Sequence, residues 1–207
     1  DTAGIRKKSK VFENLEFYSV MRAIKAMDEA DVCILVIDAQ MGIEAQDMSI
    51  FRLAVKKKKG ILILINKWDL IDKDSNTINE YKKQMLEKFA PFTDLPLLFI
   101  SALHKQRLFK AIEEALAIHE RRTTKIPTSK LNEVMLHAIE RHTPPAIKGR
   151  YVKIKYVTQL PVYTPTFAFF CNYPRYIKQP YKNYLENQLR QHFKLTGVPI
   201  SLYFRKK

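Results

Sequence analysis

Three apolar runs, "VCILVID" (32–38), "ILILIN" (61–66) and "PLLFIS" (96–101), constrain this chain more than any other feature of it. Each is followed by an amphipathic stretch, at about 44–58, 76–90 and 106–120. A run of Val, Ile and Leu with no polar alternation is a strand buried on both faces, and such strands alternate with helices when the sheet is parallel. The pattern therefore predicts an α/β unit with a doubly wound sheet over residues 1–120. A further helix is expected before the first run, where Phe17, Val20, Met21, Ile24 and Met27 recur at helical spacing.

The rhythm breaks at "ERRTTKIPTSK" (120–130), rich in Thr, Pro and positive charge, which predicts a linker over 121–128. A second domain is expected over 129–207. Its first helix would be capped by Ser129 and would bury Leu131, Val134, Leu136 and Ile139. The strands "RYVKIKYV" and "TFAFFCN", a helix at about 177–194 and the strand "PISLYFR" follow. The order is α-β-β-α-β, a small α+β domain. Alternation turns Val152, Ile154 and Tyr156 inward and Tyr151, Lys153 and Lys155 outward. Helical spacing turns Ile177, Tyr181, Tyr184, Leu185 and Leu189 inward and Lys178, Lys182, Arg190 and Lys194 outward.

Charge separates the two bodies. Residues 1–120 hold 19 Lys and Arg against 18 Asp and Glu, whereas 121–207 hold 17 against 3, so +14 of the net +15 lies in the second. So basic a domain repels itself unless a polyanion is near, and RNA is the expected partner. It also carries 13 of the 22 Phe and Tyr, and alternation makes Tyr151 and Tyr203 the rings most exposed to bases. The lysines "KKKK" (56–59) are read instead as a helix C-terminus facing the negative end of its dipole. Cys33 and Cys171, each within an apolar run, are expected as buried thiols, and the histidine spacing suggests no metal site. No apolar run is long enough for a membrane-spanning helix, and a cytoplasmic setting is expected.

"NKWD" (66–69) directly follows "ILILI", at the carboxyl end of a strand, where doubly wound sheets bind ligands. A carboxylate there can accept from the N1–H and the 2-amino group of guanine, which makes Asp69 the base selector. Asn66 would brace the loop, the stem of Lys67 would lie over the base, and Trp68 stands between them. "ISAL" (100–103) ends the next strand, so a backbone N–H near Ala102 can meet guanine O6 while Ser101 orders the turn. The opening "DTAG" completes the set. Asp1 suits an outer-sphere role on Mg²⁺, and the Gly4 N–H suits a γ-phosphate oxygen because a residue without a side chain permits so close an approach.

The order DxxG, NKxD, SA, each at a strand end, resembles the translation-factor class of P-loop GTPases. More narrowly, "DTAGIRKK…FENLEFYSVMRAIKAMDEADVCILVIDA", "NKWDLI" and the basic tail resemble the Der (EngA) family of bacterial GTPases over essentially the whole chain. That family carries two G domains and a KH-like domain. The resemblance implies a sequence starting inside the second G domain, after its P-loop and switch I, and no GxxxxGK[ST] occurs among the glycines present. The expected architecture is thus a truncated P-loop GTPase-type sheet followed by a KH-like domain, and this piece alone is expected not to hydrolyse GTP.

The resemblance implies a GTP- and GDP-binding switch, monomeric, acting in assembly of the large ribosomal subunit. The nucleotide site would draw on Asp1, Thr2, Ala3, Gly4 and Ile5 besides the two loops, and "RKKSK" (6–10) would be switch II. Ile5 stands where many GTPases place a water-orienting Gln, so that mechanism is excluded. In the resembled family this replacement often goes with potassium as the charge-stabilising cation, and no catalytic residue is assigned. The second domain has no GXXG loop, which favours phosphate and shape contacts with structured RNA through Tyr151, Lys153, Lys155, Lys178, Lys182, Arg190 and Lys194. The rival reading is a non-enzymatic RNA-binding adaptor with a relic G domain.

Overall fold

The computed structural model describes residues 13–72, 77–147 and 149–206, with the backbone alone for 13–20 and for Thr77. "DTAG", Ile5 and "RKKSK" lie outside the described residues. The chain divides into two compact units, Asp1–His119 and Glu120–Lys207. Among the described residues, no helix is long and apolar enough to cross a membrane, and no group of three or more His, Cys, Asp or Glu could hold a metal ion.

In the first unit, α1 (Glu13–Glu29), β1 (Val32–Asp38), α2 (Ala45–Lys56), β2 (Gly60–Asn66), α3 (Thr77–Lys88) and β3 (Leu97–Phe99) alternate as expected. The strands form a parallel sheet in the order β1-β2-β3. Strand β2 lies in the middle and its residues Gly60–Ile65 are buried. Fully burying each Ile or Leu there contributes about 1.5–3 kcal/mol, which is why the run carries no polar alternation. Strand β1 departs from the expectation. Its Ile34 and Val36 are half exposed, because β1 is the edge strand and no described element covers that face of it. The lysine run serves the fold locally. Lys57 Nζ pairs with the Asp28 carboxylate and Lys59 Nζ donates to the Asp28 carbonyl at 2.8 Å.

Helix α4 (Leu108–Thr123) runs through the first residues expected to be linker. Arg121 donates to the Thr196 carbonyl at 3.3 Å, and Arg122 is buried with its guanidinium 4.8 Å from the Tyr163 ring centre. Only Thr124–Pro127 separates α4 from α5 (Thr128–Arg141), and Gln159 ties that segment down, accepting from the Ile126 N–H and donating to the Thr124 carbonyl. Helix α5 begins one residue before Ser129, with Pro127 at its N-cap. It buries Leu131, Met135, Ala138 and Ile139, while Val134 and Leu136 sit at the margin.

The second unit continues with β4 (Ile154–Gln159), β5 (Thr166–Cys171), α6 (Gln179–His192) and β6 (Ser201–Lys206), in the predicted order. Strand β5 is central, antiparallel to β4 and parallel to β6. Helices α5 and α6 pack on one sheet face through Leu131, Met135, Leu185 and Leu189 against Val157, Phe167 and Phe169. The Tyr181 and Tyr184 hydroxyls staple the helices together, donating to the His142 and Ala138 carbonyls at 2.7 and 2.8 Å. A bulge between Ile154 and Tyr156 reverses the alternation. Val157 therefore points into the core in place of Tyr156. On the edge strand β4 the backbone of Val157 is matched by Asn132 of α5, whose amide group accepts from its N–H and donates to its carbonyl, both at 2.8 Å.

Candidate nucleotide and nucleic-acid sites

The loops leaving β2 and β3 meet at the carboxyl end of the sheet. Asn66, the last residue of β2, accepts the Ala102 N–H on its Oδ1 at 3.0 Å, joining "NKWD" to "SAL". The N–H expected to meet guanine O6 lies near Ala102, and that of Ala102 itself is engaged within the protein. The next donor along the turn is the N–H of the exposed Leu103.

Lys67 takes a left-handed backbone conformation (φ 60°, ψ 31°), which turns the chain sharply out of β2 into the 3₁₀ turn Trp68–Leu70. Trp68, expected beside the nucleotide, is 5% exposed. Its ring packs on Phe99 at 4.2 Å and edge-on to Tyr81 at 5.2 Å, and its backbone N–H donates to the Ile100 carbonyl. A large apolar ring next to a core strand gains more from burial than a surface contact would return. Trp68 thus anchors the turn, and its neighbours Lys67 and Asp69 are the residues presented by it.

The Lys67 ammonium reaches Asp38 Oδ2 at 2.7 Å. Asp38 closes β1 in register with Asn66 and also accepts the Gln40 N–H at 2.9 Å. The Lys67 ammonium beside it holds the Asp38 carboxyl below the ordinary carboxylate range, and the Gln40 N–H adds to this. Burial pushes the neighbouring Tyr81 hydroxyl up, with the Asp38 charge contributing, and that hydroxyl donates to the Ala39 carbonyl. Sequence reasoning missed Asp38. Its signal was present, a carboxylate ending a strand beside the one that carries Asn66.

The Asp69 side chain is 17% exposed and its Oδ2 lies 3.7 Å from His104 Nε2. His104 was also overlooked, since only the fold brings the two loops together. Ser101 is buried, and its Oγ accepts the His104 N–H at 3.2 Å. Backbone hydrogen bonds between Ser101 and Gln106 close the loop, with Lys105 and Arg107 in the left-handed region. The carboxyl end of the sheet thus gathers an acceptor with little exposure, a fixed lysine stem and a tight turn of N–H groups.

Residues 17–145 match the family described as the elongation factor Tu GTP binding domain. The chain belongs to that family. Residues 125–205 match the KH-domain-like family of EngA bacterial GTPase enzymes, C-terminal. Over its whole length the chain is 59% identical to GTPase Der of Amoebophilus asiaticus (strain 5a2) and 58% identical to GTPase Der of Christiangramia forsetii, covering 48% of each. It therefore spans about half the length of the curated relatives it matches. The fold is similar to the crystal structure of Era in complex with MgGDPNP and nucleotides 1506–1542 of 16S ribosomal RNA, with a TM-score of 0.51 at 20% identity, covering 100% of this chain and 74% of that one.

In the KH-like unit, Tyr151, Lys153, Lys155, Lys178 and Lys194 are exposed, the outward orientation expected of them. Arg190 is not. Its side chain is 10% exposed, pairs with Glu186 at 3.0 Å and donates to the Leu195 and Val198 carbonyls at 3.1 Å. Helical spacing pointed it outward, but a long guanidinium at a helix C-terminus can fold back to satisfy loop carbonyls. Lys182 is half-buried, with its ammonium 5.6 Å from the Phe204 ring centre.

Proposed function

We propose that the protein containing this chain binds and hydrolyses GTP, and that it uses the nucleotide state to control binding of its basic KH-like unit to ribosomal RNA during large-subunit assembly. The observation that carries the nucleotide part is the Asn66–Ala102 hydrogen bond, which brings the two loops together around Asp69. A largely buried carboxylate at that place can accept from guanine N1–H and the 2-amino group, while adenine offers no matching pair of donors. Lys67, fixed by Asp38, supplies an apolar stem to cover one face of the base.

Family membership and the match to proteins named GTPase Der support the same reading. The proposal extends to Mg²⁺, with Asp1 in the outer sphere, and to potassium as a further cation, as the resemblance implies. The RNA part is supported by the charge of +14 on residues 121–207 and by the exposed Lys153, Lys155, Lys178 and Lys194.

The test is Asp69→Asn in the intact protein. Asn presents a donor where the 2-oxo group of xanthine needs one, so preference should move from guanine to xanthine nucleotides. GTP affinity should fall at least about tenfold, given two hydrogen bonds to a charged acceptor at about 1.5–3 kcal/mol each. Competitive titration of GTP against XTP reads both changes. Unchanged GTP binding would remove Asp69 from the base site.

A further inference from the structure

We infer that the helix-free face of the β4-β5-β6 sheet is a stacking platform for the unpaired bases of an RNA strand, centred on Tyr156 and Phe170 and extended by Tyr203. This rests on the RNA reading above and names the surface and the mode of contact.

The β4 bulge turns Tyr156 out of the core, and its register partner on β5 is Phe170. The two rings lie parallel, 12° apart in plane with centres 4.4 Å apart. Phe170 pairs in turn with Arg205 of β6, so a row of tyrosine, phenylalanine and arginine crosses all three strands. Tyr203, two residues from Arg205, shares its face and is 54% exposed. Tyr151, in the extended segment before β4, is 78% exposed.

None of this serves the packed interior. The core consists of Val157, Phe167, Phe169 and Ile154 from the opposite sheet face with α5 and α6, and neither Tyr156 nor Phe170 belongs to it. A sheet face turned to water ordinarily carries polar side chains. This one carries rings, Tyr156 and Phe170 half-buried and Tyr203 exposed, beside the buried Thr166 and Ala168, and the charges around them have a single sign. Strands β4, β5 and β6 contain no Asp or Glu, whereas Lys155, Arg205 and Lys206 lie on them and Lys153 immediately precedes β4.

An apolar surface for a protein partner does not require that bias, but an RNA strand does. Its phosphates need cations along the rim, and its splayed bases need flat apolar faces, with aromatic or guanidinium planes equally suitable. The row Tyr156, Phe170, Arg205 offers both kinds of plane. Duplex RNA keeps its bases paired and stacked on one another, so it can use the cations but not the rings.

The experiment measures binding of the 207-residue chain to a labelled single-stranded oligouridylate and to a labelled RNA duplex across a salt series. Phe170→Leu and Tyr203→Ser should each weaken single-strand binding at least about fivefold, the lower end of what one stacked base contributes. Duplex binding and the salt slope should stay unchanged, since phosphate contacts remain. Tyr203 is largely solvent-exposed, so its variant keeps the test sound if Phe170→Leu fails to fold. Unchanged single-strand affinity in folded variants overturns the platform alone. Parallel loss on both probes also overturns it and points to a structural role for the face. Absence of salt-sensitive RNA binding by the parent chain overturns the platform together with the RNA reading.

Discussion

Lys67 adopts a backbone conformation that costs a non-glycine residue free energy, and the Trp68 anchor and the Asp38 ion pair hold it there. Asp38 thereby orients the lysine stem that covers the base in the proposed site. Its lowered pKa fixes the sign of a pH effect. Because the folded-state value lies below the unfolded one, the stabilisation is fully present above the ordinary carboxylate pKa of about 3.9 and is lost as pH falls through the folded value. Asp38→Asn should therefore be less stable than the parent near neutral pH, with the difference shrinking below about pH 4. Urea midpoints on both sides of that pH check it, and a constant difference across the range would show that the ion pair is not the cause. At this scale Trp68 and Arg190, expected as contact residues, are both largely buried. Motif position and helical spacing place a residue on the chain, but the partners that claimed these two, Phe99 and Tyr81 for one and the Leu195 and Val198 carbonyls for the other, are distant in sequence or in a following loop.

Among the elements, β2 decides most about the first unit, and its first residue shows how tightly it is packed. A Cβ at Gly60 would stand 2.6 Å from Ile118 Cγ2 and 3.2 Å from Val32 Cγ2. The obstacle is a branch methyl of a fully buried side chain on α4, which has little room to withdraw. Gly60→Ala should destabilise the fold by about 1–3 kcal/mol, readable as a lower denaturant midpoint with unchanged m-value. An unchanged midpoint would mean that α4 shifts more easily than its burial implies. The strands and helices of both units were legible in the sequence because their apolar runs are long and their periods unmixed. Asn66 was legible as a brace because its motif places it at a strand end. The bulge at Tyr156 was not, since one extra residue in a strand leaves no trace in composition and yet reverses every side chain after it. The linker was overextended for a related reason. Thr and Arg disfavour nothing strongly, and Arg121 and Arg122 remain helical once Thr196 and Tyr163 engage them.

At the scale of the molecule, a nearly neutral unit is joined to one of strongly positive charge, and the proposed function divides the same way. With Arg190 withdrawn into the fold, the exposed Lys153, Lys155, Lys178 and Lys194, together with Arg205 and Lys206, are among the described cations open to phosphate. Four to six contacts imply a slope of log affinity against log salt of about −3 to −5 for RNA. A filter-binding series should show it, and a flat series would remove phosphate contact as the source of affinity.

The most direct measurement of the central claim is the affinity of the intact protein for large ribosomal subunits, taken once with a non-hydrolysable GTP analogue and once with GDP at fixed salt. A nucleotide-controlled RNA binder should bind at least about fivefold more tightly with the analogue, the lower end of ordinary coupling between two sites. The Asp69→Asn variant should lose that response to the guanine analogue and recover it with the xanthine one. Equal affinity in both nucleotide states would contradict the account, leaving a GTP-binding unit and an RNA-binding unit that share a chain without sharing a function.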